Sequence, residues 1–154
     1  MVMGVVKQFF QNVDWGELDV LVVDLPPGTG DAQLTMIQAV NIDGAVIVTT
    51  PQKVAVMDAI RGVEMFTKLE VPILGIIENM SYIDVPGGQR MHPFGRGGGE
   101  STALRYNVPL LQQIPLEETI RLGGDIGMPA ALSDDPVSEP FIAIANKIKQ
   151  SLFV

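Results

Sequence analysis

Three places in this chain combine residue types and spacing that could do chemistry: Asp24, the segment Gly28-Thr29-Gly30-Asp31, and Asn79. Asp24 ends the run LDVLVVD (residues 18–24), in which Leu18, Val20, Leu21, Val22 and Val23 make an almost unbroken aliphatic stretch. A strand buried on both faces of a parallel sheet has this composition. A carboxylate at the carboxyl end of such a strand lies at the sheet edge where α/β proteins bind ligands, and it suits a magnesium ion held through water. Two prolines and two glycines (PPGTG, residues 26–30) forbid regular structure directly after it. Asn79 closes a second apolar run, PILGIIE (residues 72–78), and its amide offers the donor and acceptor that an adenine edge requires.

Each place has competing readings. PPGTGD could open a phosphate-cradling loop, but the pattern G-x-x-x-x-G-K-[ST] puts a lysine where Asp31 stands. A carboxylate there repels phosphates, and no lysine follows a glycine anywhere in the sequence, so it holds no Walker A. A plain turn with Asp31 as helix N-cap is the second option. A Walker-B aspartate at Asp24 followed by a nucleotide-sensing switch is the third. Asn79 either contacts a base or only terminates its strand.

Strands and helices alternate around these positions. Val2, Val5, Val6, Phe9 and Val13 predict a helix ending near Asp14-Trp15-Gly16, with Trp15 packing over the sheet edge. After the strand at 18–24, Asp31 is expected to cap a helix bearing Leu34, Ile37 and Val40 on one side. Strands are expected at 44–50, 72–78 and 108–114, and helices at about 54–69 and 100–106. A closing helix carries Phe141, Ile144, Ala145, Ile148 and Leu152, with Ser138 as its N-cap. This alternation implies right-handed crossovers and a parallel sheet. Residues 80–99 read as a long loop with His92 in solvent, and Gly97-Gly98-Gly99 as a hinge. Residues 123–129 also read as a loop.

The bulk numbers bound the function. A length of 154 residues fits one domain spanning 1–154, and 47% hydrophobic against 18% charged residues suits a two-sided core. Ten basic against eighteen acidic residues give a net charge of −8, which argues against nucleic-acid binding and against an anionic membrane surface. There is no cysteine, so disulfides and thiolate metal sites are excluded and a cytoplasmic location is expected. No apolar run reaches the roughly 18 residues of a membrane span, and the first residues do not form a signal peptide.

Taken together and in order, VVDLPPGTGDAQL, AVIVTTPQKVAVMDA, GIIENMSY, FGRGGGE, IPLEETIR and GGDIGMP resemble the Mrp/ApbC family of P-loop ATPases. That family belongs to the MinD/ParA-like branch and carries or assembles iron–sulfur clusters. The resemblance implies an α/β fold, a mostly parallel sheet with helices on both faces, here lacking the P-loop strand. The chain would be the carboxyl-terminal portion of such a domain. Asp24 would hold Mg²⁺ through water, and Gly28, Thr29, Gly30 and Asp31 would sense the γ-phosphate. Asn79 would read the adenine, with Pro115 and Leu116 beside it. ATP and Mg²⁺ would be the cofactors of the complete domain. A homodimer or a complementing amino-terminal segment, together with iron–sulfur client proteins, would be the partners.

Two departures qualify this. The glycine-rich P-loop with its lysines is absent from the sequence, and so is the C-x-x-C motif, whose matching positions are Val85 and Gly88 around Pro86. An iron–sulfur cluster on this chain's own side chains is therefore not expected. A non-enzymatic, dimerising or regulatory paralogue is the alternative, and a MinD/ParA-type positioning ATPase ranks third. Without a P-loop strand between them, residues 18–24 and 44–50 are expected either to pair directly or to leave an aggregation-prone gap.

Overall fold

The strand and helix signals beyond residue 44 are realised as a three-stranded parallel sheet in a computed structural model, which describes residues 8–25 and 28–153. The chain divides into two compact units, Met1–Asp43 and Gly44–Val154.

In the first unit, residues 8–12 are helical and residues 1–7 lie outside the described part, so the predicted face Val2, Val5 and Val6 is not assessed. Trp15 is 44% exposed, and its indole N–H donates to the Phe9 carbonyl at 3.1 Å, closing the end of its own helix. The larger correction concerns residues 18–24, which form no strand and no ladder with any described strand. Val22 is 86% exposed, and Leu18, Val20, Leu21 and Val23 are also open to solvent. The aliphatic pattern is that of a buried strand, but a strand exists only where a neighbour takes its backbone groups. None does so among the described residues. Helix α1, Asp31–Ala39, follows, with Ile37 buried. Gly30 takes the N-cap place and Asp31 is the first helical residue, so Asp31 does not fill the capping position expected of it.

The second unit holds the sheet. Strand β1, Ala45–Thr49, and strand β5, Leu110–Gln113, flank the central strand β2, Ile73–Glu78, and both pair with it in parallel. Parallel strands need crossovers, supplied by helix α2, Lys53–Lys68, and helix α3, Gly98–Tyr106. Ala45, Ile47 and Thr49 are buried toward α2 on one face. On the other face Val46 packs against a cluster of Ile77, Leu111, Ile114 and Ile144. Ile144, Phe141 and Ile148 of that cluster come from the closing helix α5, Glu139–Leu152, so helices cover both faces as expected. Lys147 Nζ of α5 donates to the Leu111 carbonyl.

The expected loop at 80–99 contains an antiparallel hairpin, β3, Ile83–Val85, with β4, Gln89–Met91. Gly87 and Gly88 turn it with φ of 94° and 76°, a conformation that L-side chains rarely adopt. The expected loop at 123–129 begins inside a helix, α4, Glu118–Asp125.

Candidate functional site

Parallel strands bring their carboxyl ends to one edge, and in this sheet that edge is built from three short segments. After β1 come Thr50 and Pro51, after β2 come Asn79 and Met80, and after β5 come Ile114, Pro115 and Leu116. Backbone hydrogen bonds knit them together. Asn79 N–H donates to the Thr49 carbonyl at 2.7 Å, Ser81 N–H to Ile114 at 2.9 Å, and Leu116 N–H to Tyr82 at 2.7 Å. Three sequence-predicted residues, Asn79, Pro115 and Leu116, are thereby gathered at one edge.

Asn79 is half-buried, and its Oδ1 accepts the Met80 N–H at 2.9 Å. Its side-chain NH₂ donates no hydrogen bond among the described residues. One strand over, Thr50 Oγ1 is buried without a hydrogen-bond partner. Buried polar atoms are paired as a rule, so an orphaned hydroxyl beside a spare amide donor leaves capacity for a polar ligand. These groups fit the edge of a purine base in chemical type.

Beneath the edge lies a residue that the sequence reading passed over. Glu78 is completely buried, with 0% exposure. Its Oε1 accepts from Ser81 Oγ at 2.5 Å and from Gln113 Nε2 at 2.9 Å, and its Oε2 accepts the Gly99 N–H at 2.6 Å. The signal was present: an acidic residue ending PILGIIE must find donors if the strand is buried. Gly98 and Gly99 are accordingly no loose hinge. A Cβ on Gly99 would stand 2.8 Å from Glu78 Cβ, and one on Gly98 would stand 2.7 Å from Val56 Cγ2. The amino-terminal end of α3, read from sequence as a hinge, instead donates its Gly99 N–H to the buried Glu78 side chain.

His92 is not a solvated loop residue either. It is half-buried, with Nδ1 3.0 Å from the Ser81 carbonyl oxygen and its ring tilted toward Tyr82. Across the hairpin, Arg90 pairs with Asp84 at 2.9 Å and lies 3.9 Å over the Tyr82 ring. The Asp84 hydrogen bond, and after it the charge interaction with Tyr82, hold the Arg90 guanidinium above its ordinary pKa. Val85, which ends β3, and Gly88, in the hairpin turn, are the positions that match the family's C-x-x-C motif by resemblance, and neither can supply a thiolate.

The remaining predicted residues belong to the first unit. Asp24, Gly28, Thr29 and Gly30 are exposed, and the Asp31 side chain lies outside the described residues. An exposed carboxylate fits one water-mediated contact to Mg²⁺. Among the described residues there is no group of three or more His, Asp or Glu side chains that could hold a metal ion on its own. No described helix is long and apolar enough to cross a membrane.

Residues 1–149 match the family model described as ParA: NUBPL iron-transfer P-loop NTPase. The chain is 50% identical to the iron-sulfur cluster carrier protein of Synechocystis sp., over 96% of this chain and 43% of that protein. Among solved structures it is similar to the nucleotide-binding protein of Archaeoglobus fulgidus in complex with ADP. The TM-score there is 0.74 at 38% identity, covering 82% of this chain and 53% of that one. The septum site-determining protein MinD of Pyrococcus horikoshii, complexed with Mg-ADP, gives a TM-score of 0.68 at 24% identity over 97% of this chain and 56% of that one, a likeness of fold alone. The chain spans about half the length of the curated relatives it matches.

Proposed function

Because the chain belongs to the ParA/NUBPL family of iron-transfer P-loop NTPases, we propose that it supplies the base-reading and Walker-B half of an ATP-dependent iron–sulfur cluster carrier. The observation that carries this is the carboxyl edge of the sheet, where Asn79, Pro115 and Leu116 converge beside the unpartnered Thr50 hydroxyl. Asn79 reads the adenine through its amide. Asp24 holds Mg²⁺ through water, and Gly28, Thr29, Gly30 and Asp31 sense the γ-phosphate. Bound ATP and Mg²⁺ would supply the hydrolysable phosphate and its charge neutralisation. The phosphate cradle and its lysine come from sequence outside these 154 residues, which fits the share of its relatives that the chain spans. The iron–sulfur cluster is cargo. With no cysteine in the chain, a second copy cannot ligate the cluster, so its thiolate ligands come from a client protein, and the working form is a cytoplasmic dimer or a complemented complex.

One observation favours a second reading. The cysteine-free hairpin, with Val85 and Gly88 at its turn, suits a regulatory paralogue that pairs with a complete relative and hydrolyses nothing.

The experiment is complementation. Joining the amino-terminal half of the Synechocystis relative to this chain should restore Mg²⁺-dependent phosphate release, and Asp24→Asn in that complex should abolish it. Asn79→Ala should weaken ATP binding about tenfold while sparing turnover at saturation. A folded complex that binds ATP but releases no phosphate would favour the regulatory reading.

A further inference from the structure

Glu78 does more at the edge than end a strand. Among the described residues no lysine or arginine pairs with its buried carboxylate, which takes three neutral donors from three different segments. Gln113 belongs to β5, and Ser81 and Gly99 are the two ends of the excursion 81–99 that carries the hairpin. His92, midway along that excursion, returns to the Ser81 carbonyl. Next to Glu78 in the chain is Asn79, fixed by its N–H to Thr49, and the Glu78 carbonyl accepts the Ile114 N–H at 2.9 Å. Both roots of the excursion and the end of β5 therefore meet around the Glu78 side chain, and the end of β1 is tied to the backbone of the next residue, Asn79.

A buried carboxylate without a cation is costly unless its donors stay in place, so Ser81, Gly99 and Gln113 cannot withdraw singly. We propose that Glu78 is a positioning residue that couples the base-reading edge of Asn79, Pro115 and Leu116 to the hairpin excursion. A ligand that shifts the edge is then felt at the roots of the hairpin, and a partner that moves the hairpin is felt at the edge. This rests on the reading of Asn79 as the base contact.

The test uses the full chain without nucleotide. Trypsin cleavage after Arg90 and Arg96 reports on the excursion, cleavage after Arg61 and Lys147 on the rest of the unit, and amide exchange of 79–82 and 114–116 on the edge. Glu78→Met keeps the length of the side chain and removes the strong acceptors. It should speed cleavage at Arg90 and Arg96 about tenfold and raise exchange at the edge, with Arg61 and Lys147 within about twofold. Glu78→Gln should rescue both, since its carbonyl can take the Gly99 N–H while its NH₂ faces Ser81 Oγ and a flipped Gln113 amide. Asp84→Asn, which breaks only the ion pair across the hairpin, should speed Arg90 cleavage and leave the edge unchanged. If Glu78→Met does not fold, Gly99→Ala, which crowds the carboxylate, should give the same selective pattern in milder form. Equal acceleration at all four sites, or an opened excursion with an unmoved edge, would overturn the coupling. Loss of ATP binding has no part in these readouts. The coupling and the base-contact reading can therefore fail separately.

Discussion

Asn79 and Glu78 are neighbours with opposite accounts. Asn79 stands out in the sequence as a polar amide ending an apolar run, open to reading as a base contact or a strand terminator, and the structure places it at the edge with a spare donor. Glu78 was missed because reading PILGIIE as a strand treats its last residue as a boundary. Only tertiary structure shows that Ser81, Gly99 and Gln113 surround it. The two should differ in stability. Glu78→Met leaves buried donors unpaired and should lower urea stability by about 3 kcal/mol. Asn79→Ala gives up one local hydrogen bond and should cost about 1 kcal/mol or less. Equilibrium unfolding of the two variants measures the contrast, and equal losses would contradict the account of Glu78.

The three strands of the sheet and helices α2, α3 and α5 were read within a few residues, since β1, β2 and β5 are aliphatic runs stopped by Pro51, Asn79 and Pro115. Helix α4 was missed because Gly123 and Gly124 look like a loop. Gly123 is in fact packed under the next turn, where its carbonyl accepts the Met128 N–H. The hairpin had its signal too, with Ile83 and Val85 alternating before a Gly-Gly turn, but long-loop composition obscured it. Residues 18–24 failed for a different reason. Their pattern states what the segment is made for, and pairing depends on a neighbour that the described residues do not provide. Amides at 18–23 should therefore exchange with little protection in the chain alone and slow about a hundredfold or more when the amino-terminal half of a relative is added. Exchange read by mass spectrometry decides this, and strong protection in the chain alone would show that the segment has found another partner.

At the scale of the whole molecule, exposed aliphatic side chains beside a three-stranded parallel sheet outweigh a net charge of −8 as determinants of behaviour. Val48 on β1 is 59% exposed, as are several residues of 18–23 to comparable degree. The chain alone should self-associate at micromolar concentration, and complementation should return it to a defined size by light scattering. The lack of a Walker A pattern in this sequence bears on nucleotide binding, since triphosphate affinity in this fold comes from backbone amides and a lysine around the phosphates. Each charge-assisted contact is worth roughly 1.5–3 kcal/mol, so lacking several weakens binding by orders of magnitude. Calorimetric titration of Mg-ATP into the chain, with and without the amino-terminal half of the Synechocystis relative, tests the central claim most directly. The account predicts millimolar affinity or weaker for the chain alone and micromolar affinity for the complemented complex. Micromolar binding by the chain alone would contradict it, because the phosphates would then be held by residues assigned here to the metal, the switch and the base.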